Sequence, residues 1–242
     1  MLYRAPAWLP GGHLQTIYPA TCVAKPPVAY RRERWATGDG DFIDVDFVDG
    51  QPGQPLVVLF HGLEGSSNSH YARSLMAALQ ARGWSGAVPH FRGCSGEANL
   101  TPRFYHSGDA VEVDWIVRKL HARAPGPLYV AGVSLGGNAL LRWLGESGHG
   151  ADFVEAACAI SAPLDLARGG EALSSGLNML YTRMFLQTLK PKCLAKLERY
   201  PGLFDRAALL QARDLYAFDN VVTAPLHGYK DTDDYWHRAS AR

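Results

Sequence analysis

From Leu128 to Asn138 the chain reads Leu-Tyr-Val-Ala-Gly-Val-Ser-Leu-Gly-Gly-Asn, and no other stretch constrains the fold as strongly. A short apolar run ends at Gly132, and from Ala139 the residues Ala139, Leu140, Trp143 and Leu144 recur with helical spacing. Strand, tight turn and helix therefore meet at Ser134. Gly132 and Gly136 flank it in the G-x-S-x-G spacing of a nucleophile elbow. Only hydrogen side chains fit beside so sharp a turn, which lifts the serine oxygen clear of the sheet. The serine also opens a helix, so the N–H of Leu135 and the helix dipole face any negative charge forming on a bound carbonyl. Taken without its strand and helix, the same pattern describes only a glycine-rich turn with a serine N-cap.

A chain of 242 residues suits one large α/β domain and is short for two. Its apolar fraction of 47% and net charge of +1 describe an ordinary soluble globule with no electrostatic reason to bind nucleic acid or an anionic membrane. Met1 to Pro10 lacks a basic segment followed by an apolar core, so no signal peptide is expected, and no window approaches the roughly 18 apolar residues of a membrane span. Cys22, Cys94, Cys158 and Cys193 are widely spaced, which reads as reduced thiols of a cytoplasmic protein without a metal site. Nothing calls for a cofactor, and the oligomeric state is not legible.

Residues 1–29 are rich in proline and aromatics, show no sustained periodicity, and are expected to form an arm in which His13 is structural. Arg31–Trp35 and Phe42–Val48, separated by Gly38-Asp39-Gly40-Asp41, read as a β-hairpin at the antiparallel edge of a sheet. Phe42, Val45 and Phe47 do not share one face, which leaves its register open. Leu56–Phe60 is a continuous apolar run, as in a strand buried on both faces. It leads into His61-Gly62-Leu63-Glu64-Gly65-Ser66-Ser67, a loop placed to supply a second oxyanion donor from the N–H of Leu63, with His61 bracing it. Helices are expected over His70–Arg82, ended by Gly83, and over Asp109–His121, with Pro125 beyond its end. Strands are expected over Trp84–Pro89, Leu128–Val133 and Val154–Ser161, and a helix over Leu135–Glu146. In the turn-rich loop from His90 to Glu97, Arg92 and Cys94 read as structural. The alternation is that of a doubly wound, mostly parallel sheet. From Leu164 the pattern becomes helical, over Leu173–Leu180, Met184–Leu189 and Leu203–Leu215, which suggests a cap. Lys190, Lys192 and Lys196 read as a solvated face, and after Asp219 the chain is expected to be irregular. The division is thus an arm (1–29), a core (30–163) and a helical cap with connecting segment (164–242).

The chain resembles the YheT-like branch of the α/β-hydrolase family. The matching segments are Gly11-Gly12-His13-Leu14-Gln15-Thr16, His61-Gly62-Leu63-Glu64-Gly65-Ser66, Phe91-Arg92-Gly93-Cys94-Ser95-Gly96, Gly132 to Asn138, and Thr223-Ala224-Pro225-Leu226-His227-Gly228, in order through nearly the whole chain. The resemblance implies an α/β-hydrolase fold and serine esterase chemistry on short-chain carboxylic esters or monoacylglycerols. It implies Ser134 as nucleophile and the N–H groups of Leu63 and Leu135 as the oxyanion hole, with a small-molecule ester as the partner.

In this superfamily an Asp or Glu and then a His follow the serine, each on a loop after a later core strand. No apolar strand follows Asp219, so both segments are expected to be absent. Of the residues that could substitute, Asp165 is the better placed because it follows a core strand, whereas His227, His237, Asp231, Asp233 and Asp234 lie in the region that joins cap to next strand in the family it resembles. The leading expectation is a hydrolase chain that stops before its last strands, impaired in activity and exposing the strand at Val154–Ser161 as an edge. A second reading is a non-catalytic module that binds acyl ligands, and a third is a partner chain that completes the sheet and donates the histidine.

Overall fold

The computed structural model describes residues 4–124 and 126–242. Met1 to Tyr3 of the expected arm and Pro125, expected beyond a helix end, lie outside them. Among the described residues six strands form one sheet: β1 (Arg31–Ala36), β2 (Phe42–Val48), β3 (Leu56–Phe60), β4 (Ser85–Pro89), β5 (Leu128–Val133) and β6 (Ala156–Ile160). Their spatial order is β1-β2-β4-β3-β5-β6. The pairs β1–β2 and β2–β4 are antiparallel, and the pairs among β3, β4, β5 and β6 are parallel. This is the doubly wound, mostly parallel sheet expected from the alternation of elements.

Helices cover both faces, so β3 must be apolar throughout. Leu56, Val58 and Phe60 join the core under α3 (Ala110–His121) and α4 (Leu135–Ser147). Val57 and Leu59 face the opposite core, beneath α2 (His70–Gln80). The hairpin register left open by the sequence is set by charge as well as by apolar contact. Ile43, Val45 and Phe47 enter one core, while on the other face Asp44 and Asp46 are buried opposite Arg34 and Arg32. Those guanidinium groups donate to the two carboxylates at 2.8 and 2.7 Å, and a slip of one residue would break both pairs. Asp109 caps α3 by accepting from the Glu112 N–H, and Arg118, Lys119 and His121 occupy its last turn, where the dipole favours them.

Within the arm α1 (Gly11–Thr21) forms, with no buried side chain, which is why no core-facing periodicity marks it. Two expectations are corrected. Residues after Asp219 are helical rather than irregular. Beyond α5 (Leu166–Leu173), α6 (Met179–Arg199), α7 (Arg206–Gln211) and α8 (Leu215–Phe218), a π-turn over Asp219–Thr223 leads into α9 (Ala224–Leu226) and α10 (Thr232–Ala239). Their short lengths and acidic caps, Asp205, Asp214 and Asp231, mask any long-range period. The lysines of α6 are not all a solvated face. Lys196 is buried and donates to the carbonyls of Thr101 and Arg103, Lys190 donates to the carbonyl of Leu210, and Lys192 pairs with Glu64. At the far edge of the sheet, β6 is shorter than expected and leaves Ala156, Ala157, Cys158 and Ile160 exposed. Among the described residues no helix is long and apolar enough to cross a membrane.

Candidate active site

β5 ends at Val133 and α4 begins at Leu135, which leaves Ser134 to make the whole turn at φ 53° and ψ −120°. A side chain at either flanking glycine has no room, for two different reasons. A Cβ at Gly132 would strike the Gly136 carbonyl within the turn, whereas one at Gly136 would lie 2.5 Å from the His61 oxygen and 2.6 Å from that of Phe60. The second glycine thus lets α4 sit directly on the end of β3. Ser134 N–H donates to the Ile160 carbonyl at 2.9 Å, carrying the β5–β6 pairing into the elbow. Among the described residues Ser134 Oγ has no hydrogen-bond partner, and the residue lines a cavity of about 310 Å³.

The loop after β3 lies against the serine: a Cβ at Gly62 would approach the Ser134 Cβ to 3.2 Å. His61 is buried and braces this loop as expected. The Phe91 N–H donates to its Nε2, so its proton sits on Nδ1 and is donated to the Gly62 carbonyl at 2.8 Å. Burial pushes the His61 imidazole down to about 3, which keeps it neutral. Gly62 N–H donates to the Tyr71 hydroxyl. Glu64 stands at φ 54°; its N–H donates to Tyr105 Oη at 2.8 Å, and that hydroxyl donates back to Glu64 Oε1 at 2.9 Å. From α6, Lys192 Nζ reaches Glu64 Oε2 at 2.7 Å. Between these anchors, the N–H groups of Leu63 and Leu135 have no acceptor among the described residues, and both residues line the cavity.

No histidine or carboxylate is hydrogen-bonded to the serine oxygen among the described residues. Asp165 caps α5 and pairs with Arg242. Asp231 caps α10, Asp233 accepts from Tyr216, and Asp234 accepts from the Lys230 N–H and Arg238. His237 is exposed, and His13 contacts Tyr181 of α6. Arg92 is buried against Asp39, Asp41 and Glu112, and the buried Cys94 thiol is pushed up to about 12, so both are structural as expected.

Three residues near the serine escaped sequence reasoning. His106 lines the cavity, its ring centroid 4.2 Å from that of His227. Gly108 N–H donates to its Nδ1, which places the proton on Nε2, and burial holds it down at about 4. Asn138 is fully buried; its Nδ2 donates to the carbonyls of Ser107 and Ala239, each at 2.8 Å, and its Oδ1 accepts from the Ala241 N–H. The one available signal was the polar side chain at an inward position of α4. Asp219 also lines the cavity, with burial pushing its carboxyl up to about 6.

Residues 55–238 match the family model for the alpha/beta hydrolase fold. A protein of Escherichia coli K12 named "Putative esterase YheT" is 40% identical over 236 residues, which cover 95% of this chain and 69% of that protein. The mouse phospholipase ABHD3 is 31% identical over 252 residues, covering 98% of this chain; this chain spans only 60% of the mouse protein's length. Among solved structures, an esterase of Pyrococcus furiosus superposes with a TM-score of 0.50 at 20% identity, over 68% of this chain and 65% of its own.

Proposed function

Because this chain belongs to the α/β-hydrolase family, we propose that its residues are arranged for serine hydrolysis of short-chain carboxylic esters, in the manner of a carboxylesterase or monoacylglycerol lipase. The observation that carries this reading is Ser134, held in a strained turn on the cavity wall with an unpartnered oxygen and two unpaired N–H groups, those of Leu63 and Leu135, on adjoining segments. In the reaction Ser134 Oγ bonds to the ester carbonyl carbon, and the carbonyl electron pair moves to oxygen, where the two N–H groups stabilise it. The ester C–O bond then breaks, the alkoxide takes up the proton that Ser134 Oγ gives up and leaves as the alcohol, and water hydrolyses the remaining acyl-enzyme to the acid and the free serine. In this reading residues 30–163 carry the reaction, 164–242 cap it and 1–29 form the arm.

The weak point is the proton on Ser134 Oγ. His106 does not accept it: its Nε2 already carries a proton, and its pKa lies far below neutrality. Oxyanion stabilisation and binding alone leave roughly 10³–10⁴-fold acceleration over water, so the described residues are expected to act as an impaired hydrolase. The purified chain should turn over p-nitrophenyl butyrate weakly or not at all. Fast hydrolysis that Ser134→Ala abolishes would show that a base reaches the oxygen after all. The formed cavity, together with the lack of a base at Oγ, also favours a second reading as a non-catalytic acyl-ligand-binding module. That reading requires saturable binding unchanged by Ser134→Ala and no labelling by a fluorophosphonate.

A further inference from the structure

Ester hydrolysis leaves Asp219 without a task. It stands in the π-turn on the wall of the cavity that Ser134 also lines. Its Oδ1 accepts from Thr223 Oγ1 at 2.6 Å and its Oδ2 from Trp236 Nε1 at 2.8 Å, and neither donor carries charge. Among the described residues no lysine or arginine lines the cavity, Asp219 is the one acid that does, and no cation pairs with it. Burying a carboxylate without a counter-charge is costly, hence its upward shift to about 6. The wall beside it is apolar and aromatic, including Phe185, Phe218 and Trp236. An aromatic cavity with one uncompensated negative charge is complementary to an organic cation, which gains from both the charge and the ring faces.

We propose that this cavity selects esters that carry a cationic nitrogen, and that Asp219 is the specificity-determining residue that receives it. The ester half of that ligand rests on the reading of Ser134 above, whereas the cationic half rests on Asp219. A quaternary ammonium needs no hydrogen bond, so it can be held while Thr223 and Trp236 keep both carboxylate oxygens.

The other titratable groups on the wall are His106, held down at about 4, Cys193, pushed up to about 12, and Tyr105 and Tyr235, both raised. Around the π-turn, Arg168 and Glu171 of α5, Asp214 before α8, Asp231 before α10, and Asp233, Asp234, His237 and Arg238 of α10 do not line the cavity. Between pH 5 and pH 8 the change of charge on the wall is therefore that of Asp219.

The test compares butyrylcholine with its neutral isostere, 3,3-dimethylbutyl butyrate, titrated into the full chain and into Ser134→Ala and followed by tryptophan fluorescence. At pH 8 the cation should bind about tenfold more tightly, and the preference should vanish at pH 5 and in Asp219→Asn. If that variant does not fold, the pH comparison on the unaltered chain decides alone. Equal affinities at pH 8, a preference that survives at pH 5, or no saturable binding of butyrylcholine overturns the proposal. Because the readout is binding, which needs no reaction at Ser134, the two readings fail separately: the preference is read in Ser134→Ala as well as in the unaltered chain and stands or falls whatever the serine does.

Discussion

Ser134 is one of only three non-glycine residues with positive φ among those described, and it shares that strain with Glu64 in the loop after β3 and Ser161 after β6. All three border the cavity or its loops, where strained backbone of about 1–3 kcal/mol per residue is tolerated because packing enforces it. The glycines around Ser134 are more demanding still. Gly136→Ala should destabilise the chain by about 1–3 kcal/mol in urea denaturation, since its Cβ would press on the backbone of β3 rather than on a side chain that could move. Three imidazoles, the buried His61 and His106 and the partly buried His227, sit at about 3, 4 and 3 against an ordinary 6.5. Each contributes stability that is complete above pH 6.5 and is lost as acid protonates the unfolded chain first. Asp219 and Glu112, raised to about 6 and about 7, act in the opposite sense, gaining stability as pH falls from 7 towards 4. Three groups outweigh two, so the urea midpoint should fall between pH 7 and pH 5; a midpoint that rises would contradict the burial of these histidines. At this scale the elbow was legible, because glycine, serine and their neighbours in sequence make it. His106 and Asp219 were not, because what they touch lies far away along the chain.

Elements are joined here by a few buried polar contacts. Lys192 of α6 pairs with Glu64, whose side chain is only 6% exposed, so the helical segment and the loop carrying Leu63 are coupled through one ion pair. Lys192→Met should cost about 2 kcal/mol, below the roughly 3–5 of a fully buried pair because the lysine keeps contact with water. Adding Glu64→Gln should recover part of that loss, since the buried charge left behind is then removed. A double variant as unstable as the sum of its single changes would mean that the two residues act independently. Reading Lys192 as solvated followed from the run of like charges, and charge pattern cannot show that a loop far upstream in the chain lies against that face. The buried β2 carboxylates teach the same lesson: their alternation was visible, but their arginine partners became assignable only once the two strands were placed side by side.

At the scale of the molecule, the sheet runs from a hairpin edge closed by charge to a β6 edge on which Ala156, Ala157, Cys158 and Ile160 are exposed. Unpaired, uncharged edges promote strand pairing between chains. Ala157→Lys should therefore reduce concentration-dependent self-association in sedimentation velocity while leaving the unfolding free energy within about 0.5 kcal/mol of its starting value. Association that persists unchanged would place the contact elsewhere.

The succession of strands and helices from β1 to β6, the elbow and the loop after β3 could be read from the sequence alone, because each depends on neighbours a few residues apart and on side-chain periods of two or 3.6. What faces the serine oxygen, which lysines are buried, and the meeting of Ser134 with Asp219 in one cavity were decided only by the tertiary structure. Those relations depend on burial and distance between segments remote in sequence, and local pattern carries no information about either.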